Sequence, residues 1–509
     1  MSVINRLNYF SEHIVISLLI ISVSSLFVRL YFFPYGIPLT EDGLYYFRYA
    51  ADTNVLGHLP DRDISNNGWP LFVSLFFFFV HSNNFLDYMT IQRLISVSVS
   101  VFTIIPVYLL VCRFFDKKYG LIGALLFAFE PRIIQNSLLG ITDTLYIFLV
   151  TLSLAFFLDS KKNSKYLSFC FAALATVIRY EGIMLFFVIS IMFFVLQKRD
   201  YRLVKQYCVV LGIFILTISP PLYSRMVTVG NDGITNSIFS GGEMYVIEAT
   251  SNQENEIIGI INYVKLGFEN LFKFLGWGMI PYFIILVPPG VYWVFKNKDH
   301  NKITVIVSII ILSIPAFYAY SRGIQETRYL YVLYPLLTIL SVFTIKFLHD
   351  RTNRKIIFII IAGMILSSIG FIEYKKVDYE HEREAFEIAK HVSRITNVIN
   401  EYYPESKYVR VTGMTDNFPV LSDAVSFGPT VLPTNYNTLE EFISEGRKEN
   451  LDHIVVDDLS HRAKFLNYVF NDDIEYPYLI KVFDSHDFGY KYHVKIYKID
   501  FKKFDLLKN

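Results

Sequence analysis

One short segment of the sequence pairs two carboxylates at the start of an expected helix. The segment is PLTEDGLYYFRYA, in which Glu41 and Asp42 are adjacent. If it is helical, Asp42, Tyr45 and Arg48 recur at i, i+3 and i+6 and lie near one another. Paired carboxylates can deprotonate a hydroxyl nucleophile or hold a divalent cation. The alternative is a solvated loop that opens an amphipathic helix, whose N-terminus favours acidic residues.

A second segment, EPRIIQNSLLGITDTLYIFL, places a carboxylate where an apolar run begins. Pro131 and Gly140 interrupt the segment, and Asp143 follows them at the expected start of the next helix. The carboxylate of Asp143 is therefore a candidate site residue. Alternatively, Thr142 or Asp143 caps the helix by accepting hydrogen bonds from its free amides.

Two further segments carry arginines. Arg179-Tyr180-Glu181 separates two short apolar runs, and it either contributes to a site or forms a structural ion pair across a tight turn. In SRGIQETRYLYVLYP, Arg322 and Arg328 have the guanidinium forks that clamp a phosphate. The alternative is that these arginines extend from apolar surroundings toward the headgroups without binding a ligand.

An aromatic turn and two histidines complete the set of candidates. Asn67-Gly68-Trp69-Pro70 predicts a turn that leads into the apolar stretch LFVSLFFFFV. Trp69 either contacts a substrate or, if the chain lies in a membrane, anchors it among the lipid headgroups. His58 and His81 are isolated and lack the spacing of zinc ligands, so no zinc site is expected from them.

The composition shows what must position these residues. The chain has 509 residues, of which 53% are hydrophobic and only 18% are charged, and its mean hydropathy is +0.39. These values exclude a purely soluble protein, and the 47 Phe and 36 Tyr exclude a disordered chain. A net charge of +1 gives no basic surface for nucleic acid. We therefore expect a polytopic helical membrane protein.

Eleven apolar runs between charged residues are candidate membrane spans. They are approximately 12–33, 89–111, 119–135, 140–158, 166–179, 182–197, 205–222, 279–296, 302–320, 328–346 and 355–373.

The distribution of Lys and Arg predicts the orientation of these spans. Alternate connections are rich in Lys and Arg, as in SKKNSK and KNKDHNK, and are expected to be cytoplasmic. The complementary set includes a first external loop at about 34–88 and a long external loop at about 223–278. Every acidic and arginine candidate then maps to the external ends of spans. The prediction is one external pocket on a plasma-membrane protein, rather than the midplane sites typical of transporters.

The composition becomes charged after Tyr374, where a second domain is expected at 374–509. HEREAFEIAKHVSRITNVI and LEEFISEGRKE have helical patterns, whereas KYVRVTG and LDHIVVDD have strand patterns. IKVFD and YHVKIYKID predict a closing hairpin. The segment is therefore expected to be a small extracytoplasmic α/β domain, and its sequence shows no Cys/His metal spacing.

The candidate residues resemble the GT-C superfamily of membrane glycosyltransferases, which use polyprenyl-phosphate-linked sugars and an acidic motif in the first external loop. The resemblance is to the branch of protein mannosyltransferases, aminoarabinose transferases and Rgt-like enzymes, and it covers the chain to about residue 346. It rests on Glu41-Asp42 with Tyr45, the GWPL turn at 68–71, the Pro131 to Asp143 segment, Arg179 in a short turn, and Arg328-Tyr329. The Glu-Asp order departs from the Asp-Glu order common in that branch.

The sequence also resembles the catalytic subunit of oligosaccharyltransferase. An Asp-x-x-aromatic-x-aromatic-Arg pattern and a Pro-x5-Ser-x2-Gly-x2-Asp pattern of that subunit are matched by Asp42, Tyr45, Phe47 and Arg48, and by Pro131, Ser137, Gly140 and Asp143. The chain departs from that subunit in three ways. It has no WWDYG motif, Thr144-Leu145 replaces an acidic residue, and eleven spans are fewer than thirteen.

The resemblance implies an inverting hexosyl- or pentosyltransferase that moves a sugar from a polyprenyl-phosphate donor to a protein, lipid or glycan acceptor. Asp42, with Glu41, would deprotonate or orient the acceptor, and Asp143 would orient acceptor or metal. The expected substrate-binding residues are Arg328, Arg322, Arg179, Glu181, Tyr45, Arg48 and Trp69. Metal use is open, with Asp42 and Asp143 as candidate ligands of Mg²⁺ or Mn²⁺. The alternatives are oligosaccharide transfer to Asn, a transporter or flippase, and a silent membrane scaffold.

Overall fold

The structure is a computed structural model. It describes residues 13–39, 41–61, 64, 66–82, 85–161, 163–196, 201–250, 256–296, 300–352, 354–395, 411–412, 436–449, 451–457 and 464–508.

Helices dominate the chain up to Tyr374. They are α1 Ile14–Tyr31, α2 Glu41–Leu56, α3 Gly68–Phe77, α4 Phe85–Phe102, α5 Ile104–Val111, α6 Lys117–Ala128, α7 Pro131–Ser137, α8 Asp143–Phe157, α9 Ser164–Ile178, α10 Ile183–Leu196, α11 Tyr201–Val229, α12 Thr235–Thr250, α13 Glu256–Gly278, α14 Phe283–Lys296, α15 His300–Leu312, α16 Ile314–Ser321, α17 Tyr334–Arg351 and α18 Arg354–Tyr374. Two 3₁₀ turns, Tyr180–Gly182 and Thr327–Leu333, precede α10 and α17.

Each of the eleven predicted apolar runs is largely helical. Some are broken, as where α6 ends before Glu130, whose side chain caps α7 by accepting from the Ile133 amide at 2.9 Å, with Pro131 at the first helical position. Among the described residues, five stretches are long and apolar enough to cross a membrane, or six if the bent pair α13–α14 is one span. The helical membrane fold is confirmed, whereas eleven spans stay a prediction.

The two expected external loops contain helices. Helices α2 and α3 lie within 34–88, and α12 and α13 lie within 223–278. On α13, Lys265 and Glu269 form an exposed i,i+4 pair with their charged atoms 3.7 Å apart. Such charged and amphipathic helices lack the continuous apolar run that marks a span, so the sequence alone indicates loops in both regions.

The chain divides into two compact units. The first consists of Met1–Phe33, Leu59–Phe72 and Arg93–Lys376, and the second of Pro34–His58, Val73–Gln92 and Val377–Asn509. The predicted domain boundary between residues 373 and 374 stays a prediction.

In the first unit, α8 packs on α9 and α14 packs on α17. Arg29 is buried near the end of α1, although its side chain is charged. Its guanidinium donates to the Ala128 carbonyl at 3.1 Å and to the Ser100 hydroxyl at 3.0 Å. Hydrogen bonds from later segments therefore make this charge compatible with an interior position.

The second unit contains the sheet that the sequence predicts. Its elements after Tyr374 are α19 Glu380–Ile395, β1 Val411–Thr412, α20 Leu439–Gly446, β2 His453–Asp457, α21 Lys464–Phe470, β3 Leu479–Asp484, β4 Val494–Ile499 and α22 Phe501–Lys508. The strand order is β1-β2-β4-β3, with β1 parallel to β2 and both other pairs antiparallel. The predicted small α/β fold and its closing hairpin are thus present. The rest of KYVRVTG and the end of the predicted HEREAFEIAKHVSRITNVI helix lie outside the described residues.

The core of this α/β part lies between the sheet and its helices. It is formed by Leu439, Phe442, Ile443, Leu451, Ile454, Val456, Phe465, Leu466, Val469, Tyr478, Tyr497, Ile499 and Phe504. Lys495 of β4 is buried at its margin, where its ammonium donates to the Phe470 carbonyl at 2.6 Å and to Asp472 at 2.7 Å. The hydrogen bond from Lys495 lowers the pKa of Asp472 below its ordinary value.

Candidate functional site

A cleft in the first unit brings together three of the segments that the sequence singled out. About 330 Å³ of space lies between its walls, part of which is open to solvent. Its lining residues are Asp143, Tyr146, Ile147, Arg179, Glu181, Leu312, Pro315, Arg328, Tyr329 and Val332. Charged groups and tyrosines therefore meet apolar side chains, as in pockets that bind an amphiphilic ligand.

A tight turn positions Asp143 at the start of α8. Gly140 adopts a positive φ of 72°, a conformation that glycine accepts at little cost. The buried indole of Trp69 donates from Nε1 to the Gly140 carbonyl at 3.0 Å. Thr142 is the N-cap residue but makes no capping side-chain hydrogen bond. The hydrogen bond from Trp69, rather than a cap from Thr142, therefore holds this turn in place.

Arg179 leaves the end of α9 in an extended conformation and enters the 3₁₀ turn. The amide of Tyr180, the next residue, donates to the Asn66 side-chain oxygen at 3.2 Å. At the end of the turn, Gly182 packs so closely on α9 that an added Cβ would lie 2.5 Å from the Thr176 nitrogen. Hydrogen bonding and close packing thus hold the turn against α9.

The guanidinium of Arg179 joins two carboxylates. Nη1 pairs with Oδ1 of Asp143, and Nη2 lies 2.8 Å from Oε1 of Glu181. The side chain of Arg179 is 12% exposed, that of Asp143 5% and that of Glu181 9%. The guanidinium also lies 5.7 Å from the centre of the Tyr146 ring. The predicted Arg179–Glu181 ion pair is present, and Asp143 is part of the same cluster. Because it is buried and held by both acids, this positive charge keeps a fixed position in the cleft.

Arg328 provides the second guanidinium of the cleft. It lies in the Thr327–Leu333 turn, where Nε pairs with Oε2 of Glu326 and the guanidinium carbon is 5.9 Å from the centre of the Tyr329 ring. Its side chain is 25% exposed, about twice the exposed fraction of Arg179. Arg328 is therefore the more accessible of the two guanidinium groups for an incoming anion.

Arg322 does not line the cleft. Its Nη1 donates to the Tyr318 hydroxyl at 3.3 Å, and its Nη2 lies 3.6 Å from the Met244 sulfur. The structure thus brings together four charged residues from three separate segments and leaves Arg322 beside α12.

Sequence reasoning missed several lining residues. Tyr146 lies one helical turn after Asp143, so its i+3 spacing could have identified it. Tyr329 entered only as the neighbour of Arg328. The remaining lining residues are the apolar side chains of Ile147, Leu312, Pro315 and Val332, which have no sequence mark that separates them from ordinary core residues.

The other site residues that the sequence predicts lie on α2, which belongs to the second unit. The helix begins at Glu41, which confirms the helical continuation. Along it, Asp42 and Arg48 are partly buried and Tyr45 is 54% exposed. Their proposed roles stay predictions.

The acidic groups of the cleft do not fit a divalent cation as they are arranged. Asp143 and Glu181 both bind Arg179, which already neutralises charge that a metal ion would need. Metal ligands must offer their oxygen lone pairs to the ion. We therefore assign no step in the cleft to a metal.

Comparisons with known proteins agree with this architecture. The family described as dolichyl-phosphate-mannose-protein mannosyltransferase matches residues 72–223, which include Asp143, Arg179 and Glu181. A crystal structure of ArnT from Cupriavidus metallidurans bound to undecaprenyl phosphate is similar to this chain, with a TM-score of 0.64 and 11% identity over 95% of this chain and 97% of that one. The chain has a GT-C fold. The predicted resemblance to the GT-C superfamily is thereby confirmed.

Oligosaccharyltransferases share this GT-C fold. The Archaeoglobus fulgidus enzyme, in complex with Zn and sulfate, has a TM-score of 0.59 and 14% identity, over 87% of this chain and 68% of that one. A structure of AglB from the same organism, with an inhibitory peptide and a dolichol-phosphate, has a TM-score of 0.57 and 13% identity, over 88% and 70% of the two chains. Comparison with curated protein sequences gives no match.

Proposed function

We propose that this protein transfers a sugar from a polyprenyl-phosphate-linked donor to an acceptor at the external membrane surface. The observation that carries the proposal is the cleft, in which Arg179 and Arg328 present two guanidinium groups beside apolar side chains. A polyprenyl-phosphate ligand has the matching chemistry, because it joins an anionic phosphate to a hydrocarbon chain. In support, the similar ArnT structure holds undecaprenyl phosphate and the AglB structure holds a dolichol-phosphate.

The two arginines take different parts in the proposed reaction. Arg328, the more exposed one, binds the lipid phosphate, whereas Arg179 is held in the same cleft by two carboxylates whose charges offset its own. Negative charge grows on the phosphate as its bond to the sugar breaks, and pre-placed cations stabilise that charge without reorganising. Asp143 and Glu181 act as positioning residues, because they hold the guanidinium of Arg179.

The proposed chemistry is an inverting displacement. The acceptor oxygen forms a bond to the anomeric carbon while the bond from that carbon to the phosphate oxygen breaks. The lipid phosphate leaves with the bonding electron pair, and the acceptor proton passes to a base. On the sequence pattern, we assign the base to Asp42, assisted by Glu41. Attack opposite the leaving phosphate inverts the configuration of the sugar.

A deletion strain, complemented with wild type or variants, tests the proposal. We expect mass spectrometry of envelope glycans and lipid-linked sugars to show one sugar missing in the deletion strain and restored by the wild-type chain. Asp42→Asn should fail to restore it at normal protein levels. Restoration by Asp42→Asn would reject the base, and unchanged glycans after deletion would reject the function.

Arg328 is tested in the purified full chain. Arg328→Ala should mainly raise the KM for the lipid donor, because a lost charge-assisted contact of about 1.5–3 kcal/mol weakens binding by roughly ten- to a hundredfold. Arg351→Ala is the matched control, since Arg351 also stacks on an aromatic ring, with its guanidinium carbon 4.2 Å from the Phe347 ring centre, but does not line the cleft. An unchanged donor KM in Arg328→Ala would remove the phosphate-binding role.

Oligosaccharide transfer to Asn is the second candidate function. It is favoured by the similarity to the Archaeoglobus fulgidus oligosaccharyltransferase and by the Pro131 to Asp143 pattern. The same mass spectrometry distinguishes the two, because this function predicts loss of whole Asn-linked glycans rather than of a single sugar.

A further inference from the structure

Three potential metal ligands meet at the closed end of the β3–β4 hairpin. Asp484 is the last residue of β3, His486 lies in the 3₁₀ turn Ser485–Phe488 that follows, and His493 directly precedes β4. The ligand atoms of the three side chains all lie within 4.8 Å of one another. This trio belongs to the second unit, whereas the residues of the cleft belong to the first.

The geometry within the trio is close to what one metal ion requires. Nε2 of His493 lies 2.9 Å from Oδ1 of Asp484, and the His486 and His493 rings stack with centroids 3.5 Å apart and planes 14° apart. Ligand atoms around a tetrahedral Zn²⁺ are roughly 3.4 Å apart, given bonds of about 2.0–2.1 Å. The ligand atoms are thus near enough to share one ion, and binding requires the two stacked rings to tilt so that their nitrogens converge on it.

The hairpin holds these ligands in place. The Ser485 hydroxyl donates to the Tyr492 carbonyl at 2.6 Å and accepts from the Val494 amide at 2.7 Å, which ties the two sides of the loop together. Asp484 accepts from the backbone amide of His486 at 3.1 Å, and its side chain is only 10% exposed. A preformed carboxylate and backbone of this kind reduce the conformational cost of binding a metal.

We propose that Asp484, His486 and His493 bind a divalent transition-metal ion, with Zn²⁺ the best match. Two imidazole nitrogens and one carboxylate oxygen form a borderline-soft ligand set that favours Zn²⁺ over Mg²⁺ or Ca²⁺, which prefer oxygen ligands. Three protein ligands leave a fourth position for water or another ligand. The metal replaces the hydrogen bond between Nε2 of His493 and Asp484, and the neutral imidazole that binds the metal carries its proton on Nδ1.

Two features of the trio bear on this assignment. An Asp–His hydrogen bond that only stabilises the hairpin would involve Asp484 and His493 alone. Here the exposed imidazole of His486 lies parallel to that of His493 as well. The Lys481 ammonium lies 3.5 Å from Oδ2 of Asp484 and would oppose a cation. Its side chain is 45% exposed, so it can turn into solvent when a metal ion occupies the trio.

Zinc titration of the metal-stripped full chain in detergent tests the proposal. Calorimetry should show a Zn²⁺ site in the wild-type chain, and His486→Ala and His493→Ala should each lose roughly tenfold or more in affinity, because loss of even an outer-shell partner costs about 10–100-fold. His81→Ala is the matched control, since His81 is also exposed but lies outside the trio. It should bind Zn²⁺ as the wild type does.

A second variant separates ligand loss from misfolding. Asp484→Asn keeps an acceptor for the His486 amide but removes the carboxylate charge, so it should fold and still lose zinc affinity. Hydrogen exchange of the β4 amides checks that the hairpin is intact, and Co²⁺ absorption checks that nitrogen ligands bind the metal. The proposal is overturned if the wild-type chain binds no zinc, or if all three trio variants bind it as His81→Ala does.

Discussion

Removing the Arg179 guanidinium should destabilise the first unit more than removing either of its partners. In Arg179→Met, the carboxylates of Asp143 and Glu181 lose their shared cation although their side chains are only 5% and 9% exposed. An uncompensated buried charge costs about 3–5 kcal/mol of folding free energy. Solvent screening offsets little of this cost, because Arg179 itself is 12% exposed.

Loss of one carboxylate should cost less. In Asp143→Asn, Arg179 keeps its contact with Glu181, in which Nη2 lies 2.8 Å from Oε1. The expected loss is that of one charge-assisted hydrogen bond, about 1.5–3 kcal/mol. The triple variant Asp143→Leu, Arg179→Met, Glu181→Leu should regain most of the stability lost in Arg179→Met, because an apolar replacement of a buried ion cluster is often close to neutral.

SDS-induced unfolding of the detergent-solubilised chain measures these differences. Tryptophan fluorescence is a suitable signal, since Trp69 binds the Gly140 carbonyl at the turn before Asp143. The free energies of unfolding should rank wild type above Asp143→Asn, and Asp143→Asn above Arg179→Met. If Arg179→Met is no less stable than Asp143→Asn, or if the triple variant is no more stable than Arg179→Met, the three groups do not form one coupled cluster.

Two further predictions concern packing and pH. Gly68→Ala should cost about 1–3 kcal/mol of stability, because its Cβ would lie 2.5 Å from the Val177 carbonyl oxygen. Gly212→Ala is the control in the same unfolding assay. It should not destabilise the chain, because nothing lies within 4 Å of the added Cβ. Because the folded-state pKa of Asp472 is lowered, its stabilising effect is present above its unfolded-state pKa of about 3.9 and is lost as the pH falls through the folded-state value. Hydrogen exchange of β4, corrected for intrinsic rates, should show this loss of protection in wild type but not in Asp472→Asn; an identical pH dependence in both would contradict it.

The membrane architecture could be predicted from the sequence because the length of an apolar run reflects the thickness of the bilayer. The sequence indicates loops at α12 and α13 because polar and charged residues interrupt their apolar patterns, as the Lys265–Glu269 pair does on α13. A helix stabilised on one face by packing and on the other by solvent needs no continuous run.

The cleft was only partly predictable. Asp143, Arg179, Glu181 and Arg328 each stood out because charge near a membrane is costly, but their sequence separation gives no sign that they share one cavity. Their meeting depends on long-range packing, such as the bond between Trp69 and Gly140. Tyrosines are common throughout this chain, so Tyr146 did not stand out.

The histidine pair was predictable from strand register. The hairpin was expected, and in it Asp484 pairs with Lys495 and Phe483 with Ile496. Continuing this pairing two residues beyond Asp484 places His486 opposite His493. A search for ligands at helical or zinc-finger spacing passes over such a pair, because the ligands of a hairpin are related by register rather than by a fixed interval.

The buried Arg29 has a consequence for the order in which the protein is assembled during synthesis. Ser25 of the same helix is one hydrogen-bond partner of Arg29, but two others, Ser100 and Ala128, are made 71 and 99 residues later. Until then α1 carries a charge that costs about 2.5–3.5 kcal/mol at the centre of a membrane. Arg29 is near the end of α1, so its side chain can stay at the membrane surface while the intervening helices emerge. The buried surroundings of Arg29 are therefore completed only after α4 and α6 have joined α1.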